Sequence, residues 1–579
     1  MFILMVKNKK ELTIMPDVFI PVTNPTPELA DCRSSWTFDE PFRCWCLEDI
    51  LYTQKAMTPK FQRMSIFVPQ AYLNADGTVN ADGVCGRFSA CTAPVVFENN
   101  SAGYMQMPHT WLGGPRDEAG KYLARGMVYV TCGCRGRESR DRNGALCGKY
   151  PWSLVDLKTG IRFLRHNAAS LPGDLNRIIS VGWSAGGAMS SLLGLTGDHP
   201  DYLPYLEQNG AFLQESDAVF AAQIYCPIVD LDHADLAYEW QFQCDPENED
   251  SPAGPGGVMT PFQAALSRRL AAAYVDYFNS LGLKDPATGS PLTLYEDGRG
   301  GSGYDYLMAL LEASAADFLT RLEEGRLPER YTAADYLCGN YTRKVPAPKP
   351  PRPQNAMQGH AGPGVALPDL PGGPKPSLGD LVSRPPRGVP YKGLEFPMVD
   401  APGTDKRDWL RWDGQRAQIA GLDSYLLAHR RRMKPCTSFD TLGMDSGENQ
   451  EFGTPEQDYL HFNPAIADAM EGLQAQFPAE YARYHDAFAA ATGDAALAER
   501  RRLLNPMGFV GNAAATPAKA YRIRVGACDA DTAFTISMAL AVRLANAGYP
   551  VDYALVWDRP HCEADYPGEV CDWIEGLCR

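Results

Sequence analysis

Five runs in the first 230 residues are apolar at successive positions instead of alternate ones. They are Ser65 to Pro69 (SIFVP), Pro94 to Phe97 (PVVF), Met127 to Cys132 (MVYVTC), Ile178 to Trp183 (IISVGW) and Phe220 to Tyr225 (FAAQIY). Strands of this kind are buried on both faces, as in a parallel sheet covered by helices. Between the third and fourth runs, Leu154, Leu157, Ile161 and Leu164 recur at helical spacing on one face. Pro172-Gly173-Asp174 then ends that helix before the next strand. The strand–helix–strand order predicts a right-handed, doubly wound sheet.

The pattern stops near residue 226 and returns only at the C-terminal end. There Tyr521 to Gly526 (YRIRVG) and Val551 to Trp557 (VDYALVW) read as strands, with an amphipathic helix from Thr532 to Asn546 between them. The expected organisation is one α/β domain, residues 1–226 and 509–579, interrupted by an insert over 227–508. Helical segments are expected inside the insert at Pro261 to Leu281 and Ala315 to Gly325. It also carries a Pro/Gly-rich stretch at about 346–390, containing KPPRPQ, LPGGPKP and SRPPRG. The PxxP spacing there fits a peptide ligand, but a solvated, extended loop is the preferred reading.

Gly182-Trp183-Ser184-Ala185-Gly186 matches GxSxG, the sharp strand-to-helix turn on which a serine nucleophile is displayed. Five residues with three fixed positions recur by chance, and the alternative is a tight packing turn. The flanks favour the nucleophile: an apolar strand precedes the motif and a small-residue helix, AGGAMSSLLG, follows it. A serine hydroxyl needs a base, and the base an orienting carboxylate. On such a fold these come in the order serine, acid, histidine, each just after a later strand. Asp529 follows YRIRVG and His561 follows VDYALVW. One oxyanion donor is expected from the backbone N–H of Ala185, the second from the loop Asn99 to Tyr104, at Ala102.

Taken together, GWSAGGAMSSLLG, NNSAGYM, RGMVYVTCGCRGRE, KPCTSFDTLGMDSGENQEFG and DADT with WDRPH resemble the bacterial tannases of the α/β-hydrolase superfamily. The resemblance covers most of the chain. It implies an α/β-hydrolase fold with a doubly wound, mostly parallel sheet and a large inserted, mainly helical lid. It also implies cleavage of galloyl esters and a triad of Ser184, Asp529 and His561. The family's ring-binding residues fall on Lys434 in RMKPC, Glu448 in SGENQEFG and Asp531 in DAD. The chemistry fits a trihydroxyphenyl ring, since two carboxylates accept from its hydroxyls and an ammonium donates to them. Taken without the resemblance, Asp531 reads as a helix cap, Lys434 as part of a solvated basic run and Glu448 as a loop acid.

Other classes fit less well. The formal net charge of −16 without a Lys/Arg cluster of nucleic-acid type argues against nucleic acid and anionic membrane surfaces as partners. The run Met1 to Val6 is too short for a signal-peptide core and precedes the charges, and no window approaches a membrane span. A soluble, cytoplasmic protein acting on a small phenolic ester is expected, its oligomeric state left open. No cofactor and no required metal are expected. Cys44-Trp45-Cys46 and Cys132-Gly133-Cys134 lack CxxC spacing. The acidic run Asp230 to Asp235 lacks the glycine and terminal glutamate of an EF-hand loop, so a hinge or cap is preferred. Cys528 precedes Asp529 and Cys562 follows His561, so converging loops place the two sulfurs within disulfide range; free thiols are the preferred reading. A feruloyl or chlorogenate-type esterase, a peptidase and a non-catalytic binding protein remain as alternatives.

Overall fold

The computed structural model describes residues 28–579 apart from 100, 114–117, 245–258, 330, 347–397, 404–406, 430 and 563. The Pro/Gly-rich stretch after Pro346 and the N-terminal apolar run therefore lie outside the described residues. Nine strands form the main sheet: β1 (Thr37–Asp39), β2 (Cys44–Leu51), β3 (Arg63–Pro69), β4 (Pro94–Asn99), β5 (Val128–Cys132), β6 (Asp174–Trp183), β7 (Ala221–Tyr225), β8 (Ala520–Gly526) and β9 (Val551–Val556). Their spatial order is β1-β2-β3-β5-β4-β6-β7-β8-β9.

From β5 to β9 every neighbouring pair is parallel, whereas β1, β2 and β3 extend the sheet antiparallel at one edge. Every residue of β4, β5, β7 and β8 is buried, Gln223 and the two arginines of β8, Arg522 and Arg524, included. The edge strand β9 is buried only over its last two residues. The expected strands lie inside or within a residue or two of the observed ones, and β1 and β2 are additions to that expectation.

The sheet is flanked by α1 (Trp152–His166) and α2 (Ala185–Leu195). The helix α1 is buried from Ser153 to Leu164, on all faces and not only on its leucine stripe. Its polar positions survive there because they are paired: Lys158 Nζ and Arg162 Nη2 lie 2.7 and 2.6 Å from the two oxygens of Asp217.

Between β7 and β8 the chain leaves the sheet and builds α3 (Leu231–Phe242), α4 (Pro261–Ser280), α5 (Ser302–Glu323), α6 (Leu422–His429) and α7 (Gly447–Glu451). Thr260 and Gln263 close a capping box at the start of α4. Two short antiparallel strand pairs, Thr342–Pro346 with Met398–Pro402 and Leu410–Trp412 with Ala417–Ile419, accompany these helices. No described residue of this excursion joins the main sheet. The chain then completes the sheet with β8, α8 (Phe534–Asn546) and β9. Among the described residues no helix is long and apolar enough to cross a membrane.

Candidate active site

Ser184 stands between the end of β6 and the start of α2 with φ 60° and ψ −126°, a backbone conformation that side chains rarely adopt. Its N–H donates to Tyr225 O at 3.0 Å and its carbonyl accepts from Ile228 N at 3.2 Å, so both peptide groups are fixed by the neighbouring strand end. The flanking glycines are required by close approach: a Cβ on Gly182 would lie 2.2 Å from Gly186 O, and one on Gly186 would lie 2.7 Å from Asn99 Oδ1. Local sequence thus forces the serine to project from the turn.

Asp529 and His561 occupy the loops after β8 and β9. The loops touch through their backbones, Cys528 N donating to Arg559 O at 2.8 Å. His561 Nε2 lies 2.8 Å from Ser184 Oγ and its Nδ1 lies 2.8 Å from Asp529 Oδ2. Asp529 is fully buried, and its other oxygen accepts from Asp531 N at 2.8 Å. Burial works against a charged imidazole, but the facing Asp529 carboxylate, with Cys226 and Asp531, overrides it and holds the His561 pKa well above its ordinary value. The ring of Trp183 meets that of His561 edge-on at 6.1 Å.

Ala185 is the first residue of α2, where backbone N–H groups lack helical acceptors. Ala102 opens the single 3-10 turn Ala102–Tyr104 that follows β4 and packs against α2. Asn99 joins these pieces: its Nδ2 donates to Val181 O, Gly186 O and Ser190 Oγ at 3.0, 3.2 and 2.9 Å. Sequence reasoning took Asn99 only as the start of a loop; the polar pair Glu98-Asn99 closing the apolar run PVVF was the available signal.

The three ring-binding candidates are held by groups the sequence did not single out. Tyr238 on α3 donates its hydroxyl to Ala530 O at 2.8 Å and accepts from Met433 N and Lys434 N at 3.1 and 3.0 Å. One phenol therefore ties Lys434 to the loop that carries Asp529 and Asp531. The Lys434 ammonium lies 3.8 Å above the ring of Phe439. Asp235 accepts from the N–H groups of Ser438, Phe439 and Asp440 at 2.7, 2.8 and 3.2 Å. Asp440 in turn accepts from Asn449 Nδ2 at 2.7 Å and lies 2.6 Å from His461 Nδ1. Glu448 sits on α7, capped by Ser446, and α7 packs against the Ala102–Tyr104 turn. Asp531 is not a helix cap, since α8 begins at Phe534 with Ala533 at its N-cap.

The acidic run is structural in this geometry. Asp230 pairs with His233 at 2.9 Å and accepts from Asn505 Nδ2 at 2.8 Å, while Asp235 organises the segment just described. Cys528 and Cys562 are not joined in a disulfide. Cys226, at the end of β7, was not anticipated: its sulfur donates to Cys562 O at 2.9 Å and belongs to the same cluster as Asp529 and His561.

Residues 144–239 match the BD-FAE family model. The esterase LipC of Mycobacterium tuberculosis is 43% identical over 54 residues, which are 9% of this chain and 13% of that relative. With the fold, these likenesses define the class: a carboxylic ester hydrolase of the α/β-hydrolase superfamily. Two solved structures reach almost the whole chain. A tannin acyl hydrolase in complex with ethyl gallate is 30% identical with a TM-score of 0.68, covering 93% of this chain and 94% of that one. A tannase from Lactobacillus plantarum is 29% identical with a TM-score of 0.69, over 93% and 95%. The chain belongs to the tannase family.

Proposed function

We propose that this enzyme hydrolyses galloyl esters of phenolic substrates through a galloyl-serine intermediate, with Ser184 as nucleophile, His561 as general base and acid, and Asp529 as the orienting carboxylate. The observation that carries the reading is the continuous chain Ser184 Oγ–His561 Nε2 and His561 Nδ1–Asp529 Oδ2, 2.8 Å at each link, with the serine on a strained turn. In this assignment His561 Nδ1–H donates to Asp529, and Nε2 takes the proton from Ser184 as its oxygen attacks the ester carbonyl. The imidazolium then protonates the leaving alcohol. A water deprotonated at the same Nε2 cleaves the acyl-enzyme, and gallic acid leaves.

The N–H groups of Ala185 and Ala102 would receive the developing oxyanion. Lys434, Glu448 and Asp531 would hold the ring hydroxyls; the Tyr238 bridge between Lys434 and the Asp531 loop supports that grouping. The fit is chemical as well, because an ester without ring hydroxyls would leave two carboxylates and an ammonium unpaired. Residues 227–508 would then act as a lid that excludes solvent and supplies part of the ring site. The ethyl gallate seen with the tannin acyl hydrolase supports the same substrate class.

The test compares release of acid from methyl gallate and methyl ferulate by the wild type and by Ser184→Ala. Gallate-selective hydrolysis lost in the variant is the expected result. Preference for ferulate would keep Ser184 and remove Lys434, Glu448 and Asp531 from the ring site. Unchanged hydrolysis by Ser184→Ala would overturn the nucleophile.

A further inference from the structure

Among the described residues, two Cys/His/Asp groupings bring three metal-type donor atoms within 4.8 Å of one another. One is Cys226, Asp529 and His561, in which the histidine is already engaged with Ser184. The other, His429, Cys528 and Asp558, lies outside the proposed catalytic chain and takes one residue from each of three separate elements. His429 ends α6, Cys528 sits immediately before Asp529 in the loop after β8, and Asp558 is in the loop after β9, three residues before His561.

The geometry matches a coordination triangle. His429 Nε2 is 3.0 Å from Cys528 Sγ and 3.6 Å from Asp558 Oδ1, and Cys528 Sγ is 4.0 Å from Asp558 Oδ1. A tetrahedral zinc ion with bonds of ~2.3 Å to sulfur and ~2.0 Å to nitrogen or oxygen separates its ligand atoms by roughly 3.3–3.6 Å. Each observed side lies within about 0.4 Å of that range, so small side-chain adjustments suffice. The His429 side chain is 1% exposed and that of Asp558 16%. Its imidazole stacks on Trp557 at 5.3 Å, so the ring is held where it is. The donor set also carries the charge needed: a thiolate and a carboxylate balance a divalent cation, and mixed sulfur and imidazole donors suit a borderline-soft one.

We propose that His429 Nε2, Cys528 Sγ and Asp558 Oδ1 form a binding site for a zinc-class divalent cation, with a fourth position open to water. On binding, the thiol proton of Cys528 passes to solvent and the sulfur–metal bond replaces the S–H bond. The cation takes no part in ester cleavage. It clamps α6 to the two loops that carry Asp529 and His561, where Tyr425 of the same helix already donates to Ala527 O.

The experiment titrates the full-length, metal-free chain with Co²⁺ and follows the near-ultraviolet thiolate-to-cobalt absorption, then measures thermal unfolding with and without Zn²⁺. One equivalent of Co²⁺ is expected to produce the band in the wild type and in Cys226→Ser. The band should be absent in Cys528→Ser and His429→Gln, and Asp558→Asn should bind at least tenfold more weakly. Zn²⁺ should raise the melting temperature of the wild type and Cys226→Ser but not of Cys528→Ser or His429→Gln. Should one of these variants fail to fold, the other carries the test. A wild type without a thiolate band, a band lost in Cys226→Ser, or a His429→Gln protein titrating like the wild type would each overturn the site.

Discussion

The loops bearing Ser184, Asp529 and His561 and the segment from Arg431 to Glu451 are both fixed, but by different means. The first group is held by its own backbone: a serine at positive φ, glycines in contact with neighbouring carbonyls, and a peptide bridge from Cys528 to Arg559. The second has little regular structure: buried Asp235 and Tyr238 on α3 pair its peptide groups, and its own Asp440 accepts from Asn463 N beyond the segment. In the proposed function, chemistry that must not vary thus sits on strand ends, and recognition on a stretch whose shape depends on a few polar anchors. Retuning substrate preference is then a matter of changing anchors while the strand ends stay as they are.

Removing the nucleophile should separate the two regions most sharply. Ser184→Ala is expected to lower kcat on methyl gallate by ~10⁶-fold while gallate still binds, measured by calorimetry. Asp529→Asn should cost ~10⁴-fold, with little change in KM, since it leaves the imidazole in the wrong tautomer.

Tyr238→Phe tests the anchor instead. It leaves Ala530 O, Met433 N and Lys434 N without their shared partner, at about 1–3 kcal/mol. The kcat/KM for methyl gallate should fall by roughly 10–100-fold, while Ser184 still reacts with a fluorophosphonate. An equal fall in both readouts would mean that the two regions are not separable. Glu448→Gln should lower kcat/KM for methyl gallate by about tenfold and leave methyl benzoate almost unchanged.

The smallest effect is on the pH profile. The His561 pKa stands above its ordinary 6.5, because Asp529, Cys226 and Asp531 outweigh the opposing effect of burial. The base acts when neutral, so kcat/KM should rise with pH along a limb lying above that value. Asp531→Asn removes one of the charges that raise it and should move the limb to lower pH. The sign for stability is opposite: a raised folded pKa makes His561 favour the fold below its unfolded pKa, a contribution lost as pH rises through the folded pKa.

What the sequence disclosed follows the same division. Strands buried on both faces leave long apolar runs, and GxSxG needs its glycines for steric reasons, so β4 to β7 and the Ser184 turn were readable from residue types alone. The strand β2 was missed because Glu48 and Asp49 interrupt it, its register against β3 shifts between Leu47 and Ile50, and Asp49 turns through positive φ. The first strands were likewise not expected to lie antiparallel, since an apolar run does not encode direction. Tyr238, Asp235 and Asp440 were invisible for another reason. Their partners are peptide groups far along the chain, and an N–H looks the same in every residue but proline. The family likeness put Lys434, Glu448 and Asp531 forward, but nothing in it identified the side chains that hold them.

The placement of β7 beside β8 bears on how the protein is made. These strands are hydrogen-bonded neighbours, yet roughly 300 residues of chain separate Tyr225 from Ala520. At ribosomal speeds of ~5–20 residues per second, β7 waits roughly 15–60 s with one edge open before its partner has been translated. An open edge on a mostly apolar strand is a template for pairing with another nascent chain. Aggregation during synthesis should therefore depend on elongation rate and on chaperone supply through that interval, however stable the finished fold.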